Sequence, residues 1–296
     1  MKFLKAILLL IFLSNSFFSS YAQGVHLGSE GFEPWKKDRF EEITTENGWL
    51  NLSGLFWLEE NKTTLNEAGN NLSLDSNSNK KNLGSFSIKS DSIWFIPNPE
   101  IKKKFNLPTK VLQFPEEHYG DLALKVGQWK WSIIERGGMY GVRVRNLKHP
   151  AVEQFEGIPV YDYNPDWNFE AKFIPKFNES ITITNVLGQQ YDWNVMGHIL
   201  FNFNGVDYEL LALEEEGKLW VIFSDETNLS DTYPTGRYMY VGFPDRTGKL
   251  ALDFNYAYNP PCAFTSFATC PIPPRENRLD FAIPAGEKMP EVLQIH

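Results

Sequence analysis

Asp253 and Asn255 stand two positions apart, and Tyr258 and Asn259 follow closely. In a pleated strand, residues i and i+2 point the same way, so this carboxylate and this amide would project together. A carboxylate so placed can act as a general acid or base, and an amide can orient a polar ligand. Arg143 and Arg237 are the candidate clamps for an anion, because a guanidinium holds a carboxylate through two parallel hydrogen bonds. Arg145 shares a strand face with Arg143. These groups admit a hydrolase that uses Asp253 with an arginine clamp. They equally admit a binding site without chemistry, and surface ion pairing is the plain reading of Arg143 and Arg145.

Other catalytic spacings do not occur. His26, His118, His149, His198 and His296 form no HExxH or similar close ligand set. The chain has no GxSxG elbow and no Walker or dinucleotide glycine pattern. Asp225, Glu226 and Asp231 are further acids, but glycosidase chemistry turns on a carboxylate separation that sequence does not supply. Glu214-Glu215-Glu216 reads as a solvated turn, and Lys102 to Lys104 as a solvated loop. No metal site and no cofactor is expected.

The elements that would hold these residues read as strands. Leu250, Leu252, Phe254 and Tyr256 alternate with Asp253 and Asn255. Beyond them five prolines lie between Pro260 and Pro274, with Cys262 and Cys270 among them. Proline fixes φ and removes a donor, so this segment is stiff before any contact is made. A stiff loop beside a polar strand end serves as a ligand site or as a cap that closes a sheet end. The two cysteines fit a local disulfide, buried free thiols or, least readily, chemistry.

Upstream, Ser85–Ile88 and Ser92–Ile96 flank Ser90-Asp91 as a hairpin. Residues 129–134 and 140–145 flank Gly137-Gly138, and 199–203 and 206–213 flank Asn204-Gly205. Both pairs suit turns that need positive φ. Leu219–Phe223 is apolar throughout, as for a strand buried on both faces. Asn66–Asn82 is polar and reads as a long loop, and residues 33–47 have room for a short surface helix. The expectation is an all-β protein with antiparallel sandwich or barrel-like sheets. A segment at 23–47 precedes a smaller β part at 48–125. A larger β part at 126–290 carries the Pro/Cys-rich loop at 258–278.

Thirty-seven acids against 28 bases give a formal net charge of -9, which argues against a nucleic-acid footprint. Hydrophobic residues are 42% of the chain, enough for a substantial core. No apolar run is long enough for a membrane span. Lys2 and Lys5, the apolar stretch Ala6–Leu13 and Ser20-Tyr21-Ala22 have the three-part form of a secretory leader. Cleavage after Ala22 would deliver the chain to a periplasm or the exterior, where disulfides persist.

The stretch DFNYAYNPPCAFTSFATCPIPPRENRLDFAIPAGEK, residues 253–288, closely resembles the C-terminal signature of the family called domain of unknown function 1684. GWLNLSGLFWLEE (48–60), IERGGMYGVRVRN (134–146), FEGIPVYDYNPDWNFEAKF (155–173) and DETNLSDTYPTGRYMY (225–240) are similar to that family too. The resemblance implies a shared fold and no established activity. It carries over Arg237, Asp253, Asn255, Tyr258, Asn259 and Asn277 as candidate ligand-binding positions, together with Cys262 and Cys270. The chain departs from the pattern at Tyr233-Pro234-Thr235-Gly236, where the family often has a glycine-rich run, and at Asn82-Leu83-Gly84, where a histidine often stands before the glycine. The functional expectation is an exported protein that binds a small molecule or a glycan. The alternatives are an extracytoplasmic hydrolase using Asp253 and a structural envelope protein. The oligomeric state is open.

Overall fold

The computed structural model describes residues 28–59, 63–75, 79–215 and 217–291. The expected leader at 1–22, His26 and His296 lie outside these residues. Helix α1, Ser29–Thr44, comes first. Its Phe32, Trp35, Arg39 and Ile43 recur at helical spacing and are buried, so Trp35 and Arg39 do not sit in a surface turn.

Strand β1 (Leu52–Trp57) is followed by β2 (Thr64–Ala68), β3 (Asn71–Leu74), β4 (Lys81–Lys89) and β5 (Ser92–Pro97). Helix α2 (Pro99–Phe105) leads to β6 (Val111–Phe114), β7 (Leu124–Val126), β8 (Trp129–Arg136) and β9 (Met139–Asn146). These strands make a five-stranded sheet ordered β3-β2-β4-β5-β6 and a four-stranded sheet ordered β1-β9-β8-β7. The two sheets pack over one core, in which Leu65, Leu83 and Phe95 meet Trp129, Trp131 and Val144. The stretch 97–125 contributes Ile101 and β6 to this unit. Gly137 and Gly138 have φ of 57° and 74°, as the tight β8–β9 turn requires.

After the short helix α3 (Pro150–Gln154) come β10 (Asn168–Thr184), β11 (Gln190–Phe203) and β12 (Val206–Glu215). Strands β13 (Lys218–Phe223), β14 (Arg237–Val241) and β15 (Lys249–Asp253) complete a six-stranded antiparallel sheet ordered β14-β13-β12-β11-β10-β15. The sheet curls, bringing β14 into contact with β15. Side-chain alternation splits it cleanly. Leu219, Val221, Phe223, Met239 and Val241 face one core, while Trp220, Ile222 and Tyr238 face another with Cys262 and Cys270. Burial on both faces explains the unbroken apolar run of β13.

The fold is thus mostly antiparallel β, as expected, with local departures. Residues 66–82 are not one loop. Leu65, Leu72 and Leu74 alternate onto the core, and the Asn66 side-chain amide donates to the Asp75 carbonyl at 2.9 Å. Lys102 to Lys104 lie in α2, started by Asn98, whose side chain accepts from the Glu100 N–H, and by Pro99 at the first helical position. Strand β15 stops at Asp253. The Asp253 carboxylate accepts the Asn255 N–H at 3.1 Å and turns the chain into a single 3-10 turn, Phe254–Tyr256. Asp253 and Asn255 therefore do not project from one strand face. Among the described residues, no helix is long and apolar enough to cross a membrane.

Candidate functional site

The outer face of the four-stranded sheet and the second face of the six-stranded sheet meet around a cavity of about 530 Å³. Its floor is aromatic. Trp193 of β11, Trp220 of β13, and Tyr238 and Tyr240 of β14 stand at alternate positions of their strands. Ring centroids lie 5.1 Å apart for Trp193–Trp220 and 4.9 Å apart for Trp220–Tyr238. Tyr258 stacks on Tyr240 at 5.8 Å, and its hydroxyl accepts the Trp220 indole N–H at 3.0 Å. Burial holds the hydroxyls of Tyr238 and Tyr258 well above the usual tyrosine range, so both remain neutral donors.

The proline-rich segment supplies one wall. Cys262 and Cys270 are joined by a disulfide. The Tyr238 hydroxyl donates to the Pro271 carbonyl at 2.6 Å, and the Thr265 hydroxyl donates to the Leu52 carbonyl at 3.1 Å. Ala263 and Phe264 pack with Leu50 and Phe155, tying the segment to the N-terminal part. The segment therefore covers a sheet face and also presents Pro261 and Pro271 to the cavity. Across from it, β8 and β9 bring Glu135, Arg136 and Arg143. Arg39 of α1 completes the lining, its guanidinium 4.6 Å from the Tyr258 ring and paired with Glu287 at 2.7 Å.

A second space of about 460 Å³ adjoins the first. Glu42, Trp49 and Arg143 line both. Tyr119, Ser132, Lys130 and Arg145 line the second alone. Tyr119 sits in a loop pinned by Glu116, whose carboxylate accepts the N–H groups of Gly120 at 2.9 Å and Leu122 at 3.1 Å. The ring of Tyr119 is half exposed, but its oxygen takes hydrogen bonds from Arg143 Nη1 and Ser132 Oγ, each at 3.1 Å. Burial pushes this phenol up. Arg143 and Arg145 outweigh it and hold the group below the ordinary tyrosine value. Arg145 is itself lowered, by burial and by its like-charged neighbour Arg143. Arg136 is lowered for the same two reasons.

The polar atoms left without partners gather here. Among the described residues, Arg143 Nε, Trp193 Nε1 and Asn259 Oδ1 are buried and make no hydrogen bond, and all three belong to the lining of the larger space, whereas the unpartnered Trp131 Nε1 belongs to a side chain of the inter-sheet core. Gln113 Oε1 and Arg237 Nε are also unpartnered, away from both spaces. Orphaned buried polar atoms are costly, so their concentration in a cavity marks a place where a ligand completes the bonding. Two of the orphans are nitrogen donors beside an aromatic floor, and one is an acceptor. No group of acids, histidines and cysteines suited to a metal occurs among the described residues.

The structure brings together Arg143, Tyr258 and Asn259 from the candidates read in the sequence. The other four lie elsewhere. Arg237 is wholly buried, paired with Asp225 at 2.7 Å and bonded to the Ile283 and Ala285 carbonyls. Asp253 accepts from Asn255 and from the Tyr163 hydroxyl at 3.3 Å. Asn255 bonds the backbone N–H and C=O of Asn164. Asn277 bridges two strands, bonding the Leu211 backbone and the Ile222 carbonyl. Sequence reasoning passed over Trp49, Tyr119, Arg136, Trp193, Trp220 and Tyr240. The readable signal was the period-two placement of rings in β11, β13 and β14.

Fold and cleft define an antiparallel β protein with an arginine-flanked aromatic cavity between a two-sheet unit and a curled six-stranded sheet. The family described as a protein of unknown function, DUF1684, matches residues 153–288, which include the six-stranded sheet and the proline-rich segment. A solution NMR structure of an uncharacterized protein from Haloarcula marismortui is similar at 30% identity, covering 47% of this chain and 80% of that one, with a TM-score of 0.39. No curated protein matches. The chain belongs to the DUF1684 family. Arg143, Arg145 and Tyr119 come from the part of the chain before the matched residues.

Proposed function

We propose that this is an exported protein that binds a ring-bearing small molecule, a sugar first among them, in the cleft between its β parts, without chemistry. The observation that carries the reading is the gathering of unpartnered polar atoms around an aromatic floor. Rings stack on rings through apolar faces, and a few fixed polar atoms orient what is stacked. A cavity of about 530 Å³ falls within the range of small-ligand sites. The disulfide and the buried packing of the proline-rich wall hold one side ready, which lowers the ordering cost of binding. Export is supported by the leader-like start through Ala22 and by the disulfide, which suits an oxidising compartment. A hydrolase working through Asp253 gains no support from the geometry, because that carboxylate lies outside the cleft lining and caps a turn.

A melting-temperature screen against sugars, aromatic carboxylates and short peptides tests the binding reading, since a ligand that binds only the native state raises the transition. A ring-bearing compound should raise it in the wild type and lose its effect in Trp193→Ala. The reading fails if no ring compound shifts the melting, or if Trp193→Ala leaves the shift intact. Fractionation of the full chain tests export: the chain should lack its first residues and lie outside the cytoplasm.

A further inference from the structure

We propose that the smaller space is a carboxylate subsite, so that the natural ligand is a ring bearing an acid group, such as a sugar acid. The proposal rests on the ring-binding reading above and names the chemistry that reading leaves open. Arg143 and Arg145 stand two apart on one face of β9, and each is only 5% exposed. Two adjacent buried guanidiniums repel one another and have given up most of their water, an arrangement that costs stability unless an anion joins them.

The chain's own acids do not fill that role. Glu42 is paired with Arg39. Glu46 is paired with Lys125 at 2.9 Å and with Lys130 at 3.1 Å. Asp121 accepts the His118 N–H at 3.2 Å. Among the described residues the arginine ion pairs are those of Arg39 and Arg237 alone. Arg143 and Arg145 instead make neutral contacts. Arg145 bonds the Gly48 carbonyl and the Asn51 side-chain oxygen, and Arg143 bonds the Tyr119 hydroxyl. Arg143 Nε is left over, a buried donor with no acceptor.

A carboxylate suits this pair of arginines better than a phosphate. Guanidinium and carboxylate are both planar and pair edge to edge. Glu42 and Asp121 line the same space, and the chain carries a formal charge of -9, so a single negative charge meets less repulsion than two. Ser132 Oγ donates to Tyr119 Oη at 3.1 Å, which leaves the Tyr119 hydroxyl as a neutral donor beside the arginines. Arg143 lines both spaces, so one side chain separates the seat of a ring from the seat of its acid.

Calorimetric titration with glucuronate and with glucose separates the outcomes, because the two share a ring and differ in the acid. Glucuronate should bind about tenfold or more tightly than glucose, the worth of one charge-assisted contact. Arg145→Lys and Tyr119→Phe should each shrink that advantage while leaving glucose unchanged. Tyr119→Phe alters a half-exposed ring, so it keeps the test valid if Arg145→Lys folds poorly. Equal affinity for both sugars overturns the subsite and leaves the ring reading standing. An advantage that survives both substitutions overturns it as well, by placing the acid elsewhere. Binding of neither sugar removes the subsite and the sugar reading together.

Discussion

Arg237 and Arg143 are both buried, yet their surroundings are opposites. Arg237 meets the Asp225 carboxylate and two carbonyls, and Asp225 in turn accepts from Thr227 and the Ile283 N–H. Arg143 meets a phenol and stands 5.5 Å from the Trp49 ring, with no carboxylate partner among the described residues. A paired buried charge holds loops in place, and removing one partner strands the other. An unpaired one contributes little to the fold and is kept at a cost. Sequence placed the two arginines on one footing; only the surroundings separate a strut from a contact held open.

The largest effect should follow from breaking the paired site. Arg237→Met leaves Asp225 buried and uncompensated, and should lower unfolding free energy by about 3 to 5 kcal/mol in a denaturant titration. Arg39 falls between the two cases. Arg39→Met strips Glu287 of its cation but leaves it the Asn259 N–H at 2.7 Å, so a loss of about 2 to 3 kcal/mol is expected from the same measurement. Arg143→Met should leave stability unchanged or raise it by about 1 kcal/mol, because it relieves Arg145 of a like-charged neighbour. A large loss in Arg143→Met would collapse the distinction between the two arginines.

The smallest effect is one of pH. Folding holds the Tyr119 pKa below its unfolded value, through Arg143 and Arg145 acting against burial. Its contribution is therefore complete above the unfolded value of about 10 and fades as pH falls through the folded value. The stability of the wild type relative to Tyr119→Phe should rise with pH across that window. Phenolate absorbance should show one tyrosine titrating early in the wild type and absent from Tyr119→Phe.

The strands were legible where alternation was regular. Gly137-Gly138 and Asn204-Gly205 marked their hairpins because positive φ leaves a clear residue signature. The β2–β3 hairpin was not legible, because its leucines are diluted among polar residues, of which Asn66 spends its side-chain amide on the Thr64 and Asp75 carbonyls. Of the cleft, Arg143, Tyr258 and Asn259 could be named in advance. Asp253 and Asn255 gave the opposite lesson: a polar pair inside an alternating run can be a strand's terminator, satisfied by its own neighbours. The aromatic floor escaped notice because one strand carries rings on a face that a single strand cannot show to be covered or open. Tyr119 lies in an irregular loop, and its partners are close only through the register Ser132↔Arg143 between β8 and β9.

Asn277 threads its amide between β12 and β13, taking the Leu211 N–H and returning bonds to the Leu211 and Ile222 carbonyls. The direct ladder between those strands covers only Leu213–Glu215 against Lys218–Trp220. The middle of the sheet is thus knit by a residue near the end of the described chain. A ribosome that has not yet released that residue holds a sheet with an open seam, and every truncation short of it leaves main-chain groups of two central strands facing nothing.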